Sequence, residues 1–416
     1  MRVMFLLHAH PDLQAGGTEI FARDLFRTLR ARGISGLLLA GTAAHQRHAS
    51  PGTPFQAIGS AADEVLAWTG GFDPFFLSQI DLHGVSHPFA ELLREQQPDV
   101  IHIHHVMTLG VEIIGLIRRC LPNVRIVMTL HDYYAVCAND GQMVTQAGVL
   151  CHAARPDACR SCFPDRTLTD FKLREIHIGH ALDQVDHFIA PSRFLRDRFI
   201  ASGFAPDRIS VLPNGFPAVE PTPARRDLRR DRFAFFGHIN RFKGATVALE
   251  ASAILSEQGV THGLSLFGGT DHQSEQTLAR FAAARAKAPA ATYRGSYRRA
   301  EIPRLIAGAD WVVFPSEWWE NAPLVINEAF QHWRPVICSA IGGALELVRD
   351  GVNGLHFPVG DAVTLASVMR RAIEAPGLWQ HLVDGIEAPV SIDNSASRHL
   401  ELYQDLCSAP ARSIAA

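Results

Sequence analysis

No stretch of this 416-residue chain approaches the roughly 20 consecutive apolar residues that a membrane-spanning helix requires. The apolar run at residues 3–7 is closed by His8 and His10 and is too short for the core of a signal peptide. Cytoplasmic residence is therefore expected, with the inner face of a membrane as the second location considered. An excess of one charge is missing too: 39 Lys and Arg stand against 42 Asp and Glu, which leaves no global field to draw in nucleic acid. Phosphate-binding fingerprints are also absent. The chain has neither the Gly-x-Gly-x-x-Gly dinucleotide turn nor the Gly-x4-Gly-Lys-Ser/Thr loop. Nor does it contain an Asp-x-Asp pair of carboxylates to hold a divalent cation, so no catalytic metal is expected.

What is present describes an ordinary globular protein, 47% hydrophobic and 19% charged, too long for one typical core. Short continuous apolar runs at residues 3–7, 37–40, 100–103, 126–130, 188–190 and 209–212 alternate with amphipathic stretches such as 18–32 and 193–201. That is the pattern of a parallel sheet covered on both faces. Residues 216–232, with Pro217, Pro221 and Pro223 followed by a charged run, break both periodicities and read as a link. The strand pattern then restarts at 233–236, 264–267, 291–293, 311–314 and 336–338. The expectation is α/β in two domains, 1–218 and 219–389, with ligands beyond the carboxyl ends of the strands.

The most informative run is Phe314-Pro-Ser-Glu-Trp-Trp-Glu320-Asn-Ala-Pro-Leu-Val-Ile-Asn-Glu328-Ala. Asn321 is expected to cap a helix over 322–332 that carries Pro323 in its first turn, where a missing N–H costs nothing. The free amides of Ala322, Leu324 and Val325 would then face a ligand, and the helix dipole favours phosphate there. Glu328, roughly 9 Å farther along the axis, sits among Val325, Ile326, Ala329 and Phe330, where an unpartnered carboxylate is costly. A ribose diol is a suitable partner. The plainer alternative has Glu320 complementing the helix dipole and Glu328 solvated.

In these residues the chain resembles the retaining glycosyltransferases of family 4, whose signature is a Glu, seven residues, a Glu, then a small residue. Other landmarks follow in family order: Gly16-Gly17-Thr18-Glu19, Asp99-Val-Ile-His102, Thr129-Leu-His131-Asp132, Ala190-Pro-Ser-Arg193, Leu212-Pro-Asn214-Gly215, Gly237 through Lys243-Gly244, and Gly351-Val-Asn-Gly354. The resemblance implies the GT-B fold, two Rossmann-like domains with parallel sheets facing across a cleft, and a final helix within about 390–410 crossing back to the first domain. It assigns Glu328 to the nucleotide ribose, Glu320 to donor sugar hydroxyls, Lys243 to the diphosphate and His131 to the donor sugar near the reacting carbon. The family has an Arg directly after the glycine where this chain has His238, and Arg241 is the candidate substitute. Trp333 replaces the usual glycine of its turn, and either narrows donor choice or packs on the surface. Gly16 and Gly17 end the first strand-to-helix loop and let backbone approach a ligand.

Other constellations keep two readings. His131 is either in the site or hydrogen-bonded locally at a strand end. His102, His104 and His105 have spacing for a metal, but 21 histidines make coincidental pairs common. Cys137, Cys151, Cys159 and Cys162 fall in a loop-like insertion at about 135–165, where a structural zinc or free thiols are the choices. Arg23, Arg27 and Arg30 suit either anionic lipid or ordinary amphipathicity, the latter favoured. The residues and the resemblance together imply transfer of a sugar from a nucleoside diphosphate sugar to a hydroxyl of a glycan or lipid-linked acceptor in polysaccharide, glycolipid or cell-envelope glycan synthesis, and the resemblance alone implies retention. An epimerase or hydrolase on the same scaffold, or an inactive sugar-nucleotide binder, are the alternatives.

Overall fold

Each group of apolar runs becomes one parallel sheet in a computed structural model that describes residues 1–14, 16–43, 53–59, 61–220, 229–271 and 273–410. The chain divides into two units: Met1–Pro217 with Val390–Ala416, and Ala218–Pro389. The division falls inside the expected link, whose Pro221 and Pro223 lie outside the described residues.

The first unit holds β1 (Arg2–Leu7), β2 (Ser35–Thr42), β3 (Phe55–Ile58), β4 (Ala61–Trp68), a small ribbon of β5 (Phe72–Asp73) and β6 (Ser78–Gln79), β7 (Val100–Ile103), β8 (Arg125–Thr129), β9 (His187–Ala190) and β10 (Ile209–Val211). Its main sheet runs β10-β9-β8-β7-β1-β2-β4-β3, parallel except for β3 against β4. The second unit holds β11 (Arg232–Phe236), β12 (Gly263–Phe267), β13 (Ala291–Gly295), β14 (Trp311–Phe314), β15 (Val336–Ser339) and β16 (Gly354–Phe357), all parallel in the order β13-β12-β11-β14-β15-β16. In both sheets the chain starts in the middle, builds to one side, then returns to build the other. The order reverses between β1 and β7 and between β11 and β14, and the crevice beyond the carboxyl ends of such strands is where doubly wound sheets bind ligands.

Two elements of the first unit escape the sequence pattern. β4 carries Glu64 at a buried position, held by His10 and Arg27, which hides the apolar run. The helix Leu168–Asp183 leaves Leu168, Leu173 and Ile176 exposed and so lacks an apolar stripe, although Thr167 and Asp170 form a capping box at its start. The helix Gly17–Ala31 has the expected stripe and buries Phe21, Ala22, Leu25, Phe26 and Leu29. Against it packs the last helix, Ile392–Ser408, which belongs to the first unit although the chain leaves that unit at Pro217. Arg32 reaches Asp393 at 2.9 Å, Ile392 N–H donates to the Phe216 carbonyl, and Tyr403 is fully buried against His102 at 2.6 Å.

Candidate functional site

Two loops meet at the crossover of the second sheet. The first leaves β11 through Gly237 and turns at Asn240, whose Oδ1 accepts from the amides of Phe242 and Lys243 at 2.9 and 3.0 Å. It ends at Gly244, in the left-handed region at φ +70°, where an added Cβ would stand 1.8 Å from the Pro315 carbonyl oxygen. Only glycine permits that approach. The helix Ala245–Glu257 begins directly after it. The second loop leaves β14 at Pro315, and Glu317 N–H donates to the Phe242 carbonyl at 2.7 Å, tying the loops together.

Lys243 and Glu320 complete the join with an ion pair of 2.6 Å. Glu320 is buried, and its Oε1 also accepts from Ser316 Oγ and Trp318 Nε1, each at 2.9 Å. The ammonium lies 5.4 Å from the Trp318 ring centroid. The backbone of Glu320 is fixed from beyond β15: its carbonyl accepts from Gly343 N–H at 2.7 Å, and a Cβ on Gly343 would come within 1.9 Å of the Asn321 carbonyl oxygen.

The helix that follows differs from its expected start. It spans Leu324–Gln331 with Pro323 as the capping position, and the Asn321 side chain makes no cap bond. The reason is geometric: Pro323 is held at ψ 119°, an extended value, so helical dihedrals begin one residue later than a helix carrying Pro323 in its first turn would need. The first turn therefore presents the amides of Leu324 and Val325, as anticipated, and adds Ile326, while Ala322 lies ahead of it. Glu328 is half-buried on this helix and accepts no hydrogen bond from any described residue. Burial lifts its carboxyl to about 7, with the Arg299 charge partly opposing. Tyr297, packed on Phe236 and Phe267, lies close enough to feel the same carboxylate.

His238 lies within 3.4 Å of Gln273. Arg241 is exposed, with its guanidinium 4.5 Å from the Phe242 ring centroid. Trp333 has φ +54°, the left-handed region that favours glycine, and keeps 37% of its surface exposed. Neighbouring Arg334 is buried and donates to the carbonyls of Ala309 and His332 at 2.9 and 2.7 Å.

The crossover of the first sheet is lined with imidazoles. Gly16 is the extended cap and Gly17 the first residue of its helix; Glu19, in the first turn, is buried and takes His8 Nε2 at 2.7 Å. His131, just beyond β8, lies 3.0 Å from His104, and His105 pairs with Asp132 at 2.8 Å. Burial holds His131 down at about 4 and His104 well below its ordinary value. Burial also works against charge on Asp132, but His105 more than offsets it and holds the carboxyl at about 2. His102 is committed to Tyr403 and Thr129, at 2.6 and 2.7 Å. Arg23, Arg27 and Arg30 meet Asp12, Glu64 and Asp63 at 2.6, 2.6 and 2.7 Å, which agrees with structural amphipathicity. No helix among the described residues is long and apolar enough to cross a membrane.

Comparison with known proteins matches residues 15–219 to the model of Glycosyltransferase Family 4 and residues 230–375 to that of Glycosyl transferases group 1. The chain belongs to glycosyltransferase family 4. A D-inositol 3-phosphate glycosyltransferase of Pseudarthrobacter chlorophenolicus is 26% identical over 375 residues, covering 84% of this chain and 81% of the relative. Among solved structures, sucrose-phosphate synthase of Thermosynechococcus elongatus aligns at TM-score 0.72 and 20% identity, covering 99% of this glycosyltransferase and 100% of that chain. Anabaena HepE, solved with UDP and glucose, aligns at 0.68 and 19%, covering 97% and 99%. These likenesses show the GT-B class of two Rossmann-like units.

The structure adds residues of this glycosyltransferase that the motifs pass over. Asn240 shapes the lysine loop, Ser316 and Trp318 seat Glu320, and Gly343 fixes its backbone. A sequence signal exists for two of them: an Asn three residues before the lysine, and a Gly-Gly pair just after a strand. Within the insertion, Cys137 and Cys162 are buried, Cys151 and Cys159 are half-buried, and none is in a disulfide. Burial, then the neighbouring thiols, push Cys151 up to about 11. Among the described residues no group of three or more His, Cys, Asp or Glu is arranged to hold a metal ion.

Proposed function

We propose that this glycosyltransferase moves a hexose-type sugar from a nucleoside diphosphate sugar to an acceptor hydroxyl with retention at the anomeric carbon. The observation that carries the donor half of this reading is the meeting of Lys243, Glu320 and the Leu324–Gln331 helix start at the crossover of β11 and β14. Helix-start amides and a lysine stabilise the negative charge that grows on a departing diphosphate, and they do so most where water is excluded. Glu328, with no donor among the described residues and lifted to about 7, gains a partner when a ribose diol arrives. That exchange draws its carboxyl back toward the ionised state. HepE was solved with UDP and glucose, which supports the donor class.

Retention is proposed on the family resemblance alone, and we assign no covalent nucleophile among the described residues of the second crossover. Departure and attack on the same face of the sugar is the mechanism proposed, and the resemblance to the family is the ground for proposing a role for His131 on the donor sugar. The pathway proposed is polysaccharide, glycolipid or cell-envelope glycan synthesis in the cytoplasm, with a glycan or lipid-linked acceptor. A zinc bound by Cys137, Cys151, Cys159 and Cys162 also stays a proposal and requires these thiols to draw together. One zinc per chain in the purified protein supports it; four titratable thiols without metal remove it.

The test of function is a panel of UDP-, GDP-, ADP- and TDP-sugars, read first as thermal stabilisation and then as transfer. One donor is expected to raise the melting temperature, and the product's anomeric coupling constant to match the donor's configuration. An inverted product overturns retention, and no stabilisation by any donor overturns the donor class.

A further inference from the structure

Glu320 directs one oxygen at three donors. Lys243 Nζ stands 2.6 Å from Oε1, and Ser316 Oγ and Trp318 Nε1 each stand 2.9 Å from the same atom, while no described residue donates to Oε2. The donors differ in kind. Lys243 brings the charge on a flexible stem whose side chain is 28% exposed, against 7% for Glu320. Ser316 has one proton and shares it with the Phe242 carbonyl at 3.2 Å. Trp318 has its indole N–H turned to Glu320 alone, and its ring packs on Phe242 at 6.0 Å between centroids.

A buried carboxylate that loses its cation is strongly penalised unless other donors remain. This chain has therefore built a lysine that is already occupied, together with a neutral donor that can keep the carboxylate in place once the lysine leaves. We infer that Trp318 is a positioning residue for an exchange: in the donor-free protein Glu320 is the anion on Lys243, and an arriving diphosphate takes Lys243 while the indole keeps Glu320 seated with Oε2 open to the sugar. The inference rests on the reading of this crossover as the diphosphate site. It has two consequences that simple packing by Trp318 does not share. Glu320 competes with diphosphate for Lys243, and the indole N–H of Trp318, which Trp318→Phe removes while keeping an aromatic ring beside Lys243, influences diphosphate binding only through Glu320.

The experiment is a double-mutant cycle read by calorimetry without metal, using whichever of UDP, GDP, ADP and TDP binds the wild type most tightly, with folding checked by circular dichroism. Glu320→Gln is expected to bind that diphosphate about tenfold more tightly, and Trp318→Phe about tenfold more weakly, the size of change that goes with one hydrogen bond to a charged group. In the Glu320→Gln background, Trp318→Phe is expected to change nothing. An equal weakening by Trp318→Phe in both backgrounds overturns the inference, because Trp318 would then touch the ligand or merely support the loop. Unchanged or weaker binding by Glu320→Gln overturns the competition. Should Trp318→Phe fail to fold, Ser316→Ala takes its place, with a smaller weakening expected in the wild type and none in the Glu320→Gln background. Failure of all four diphosphates to bind the wild type would instead sink the donor-site reading, and this inference with it.

Discussion

Beyond β1 and β7, charges and imidazoles have found one another: His8 with Glu19, His105 with Asp132, His104 with His131. Beyond β11 and β14, Lys243 is held by a carboxylate that two neutral groups also hold, and Glu328 has no donor among the described residues. The strand order reverses in the same way at both places. Topology thus makes two crevices, and side chains decide how each is used. The first stores His104 and His131, whose protonation is opposed by burial. The second keeps a lysine and a carboxylate that hold each other, beside a Glu328 carboxyl with no donor among the described residues, which a charged, hydroxyl-bearing ligand can supply.

The largest way to break this contrast is Lys243→Ala. Loss of the cation from the second crossover is expected to lower the transfer rate by about 100- to 1000-fold, as for removal of one preorganised donor to developing charge, with the fold intact by circular dichroism. A loss of only a few-fold would mean that the helix amides do the work alone.

Acid should separate the units next. His131 and His399 are held down at about 4, and His102 and His104 well below 6.5, in each case chiefly by burial. A depressed folded value means that these groups take up protons on unfolding, so their contribution is complete above about 6.5 and is lost as pH falls toward 4. The expected slope is about 1.4 kcal/mol per pH unit for each histidine that takes up a proton. Hydrogen exchange of β1 amides at pH 7 and pH 5 reads it, with β11 as the internal comparison. Equal acid sensitivity of the two strands would erase the distinction.

Glu328 has the opposite sign. Burial raises its folded value to about 7, so the stability linked to its proton is present below about 4.5 and lost as pH rises through 7. Glu328→Gln is expected to stabilise the donor-free protein at pH 8 by about 1–2 kcal/mol relative to wild type, with little change at pH 4.5. The same change should weaken donor binding by about tenfold, through loss of a charged hydrogen bond. Chemical denaturation at the two pH values and donor titration check the two halves separately. The smallest effect is expected at Trp333, where φ +54° strains a residue that is still 37% exposed. Trp333→Gly should gain about 1 kcal/mol by relieving that backbone strain, and a loss would show that the indole packing outweighs it.

Much of the architecture is legible in the residues alone. Runs such as 311–314 and 233–236 read as buried strands because both sheets are parallel and covered on both faces, and nearly every residue in them is apolar. β4 is not legible, because Glu64 interrupts its apolar run for a reason located in His10 and Arg27, far away in sequence. At the site, the Glu320 and Glu328 spacing points to the correct helix, but not to its start, because Pro323 fits either a cap or a first turn and only its ψ decides. That Lys243 and Glu320 hold each other cannot be read at all. Their separation of 77 residues carries no local signal, and it takes the β11 and β14 pairing to bring their loops together.

The most direct measurement is a crystal structure of the protein with its tightest-binding nucleoside diphosphate. The expected result is a diphosphate against the amides of Leu324 and Val325, Lys243 Nζ on a phosphate oxygen instead of on Glu320, and Glu328 on the ribose. A diphosphate seated away from the β11 and β14 loops, with the Lys243 to Glu320 pair undisturbed, would contradict the assignment of this crossover as the donor site.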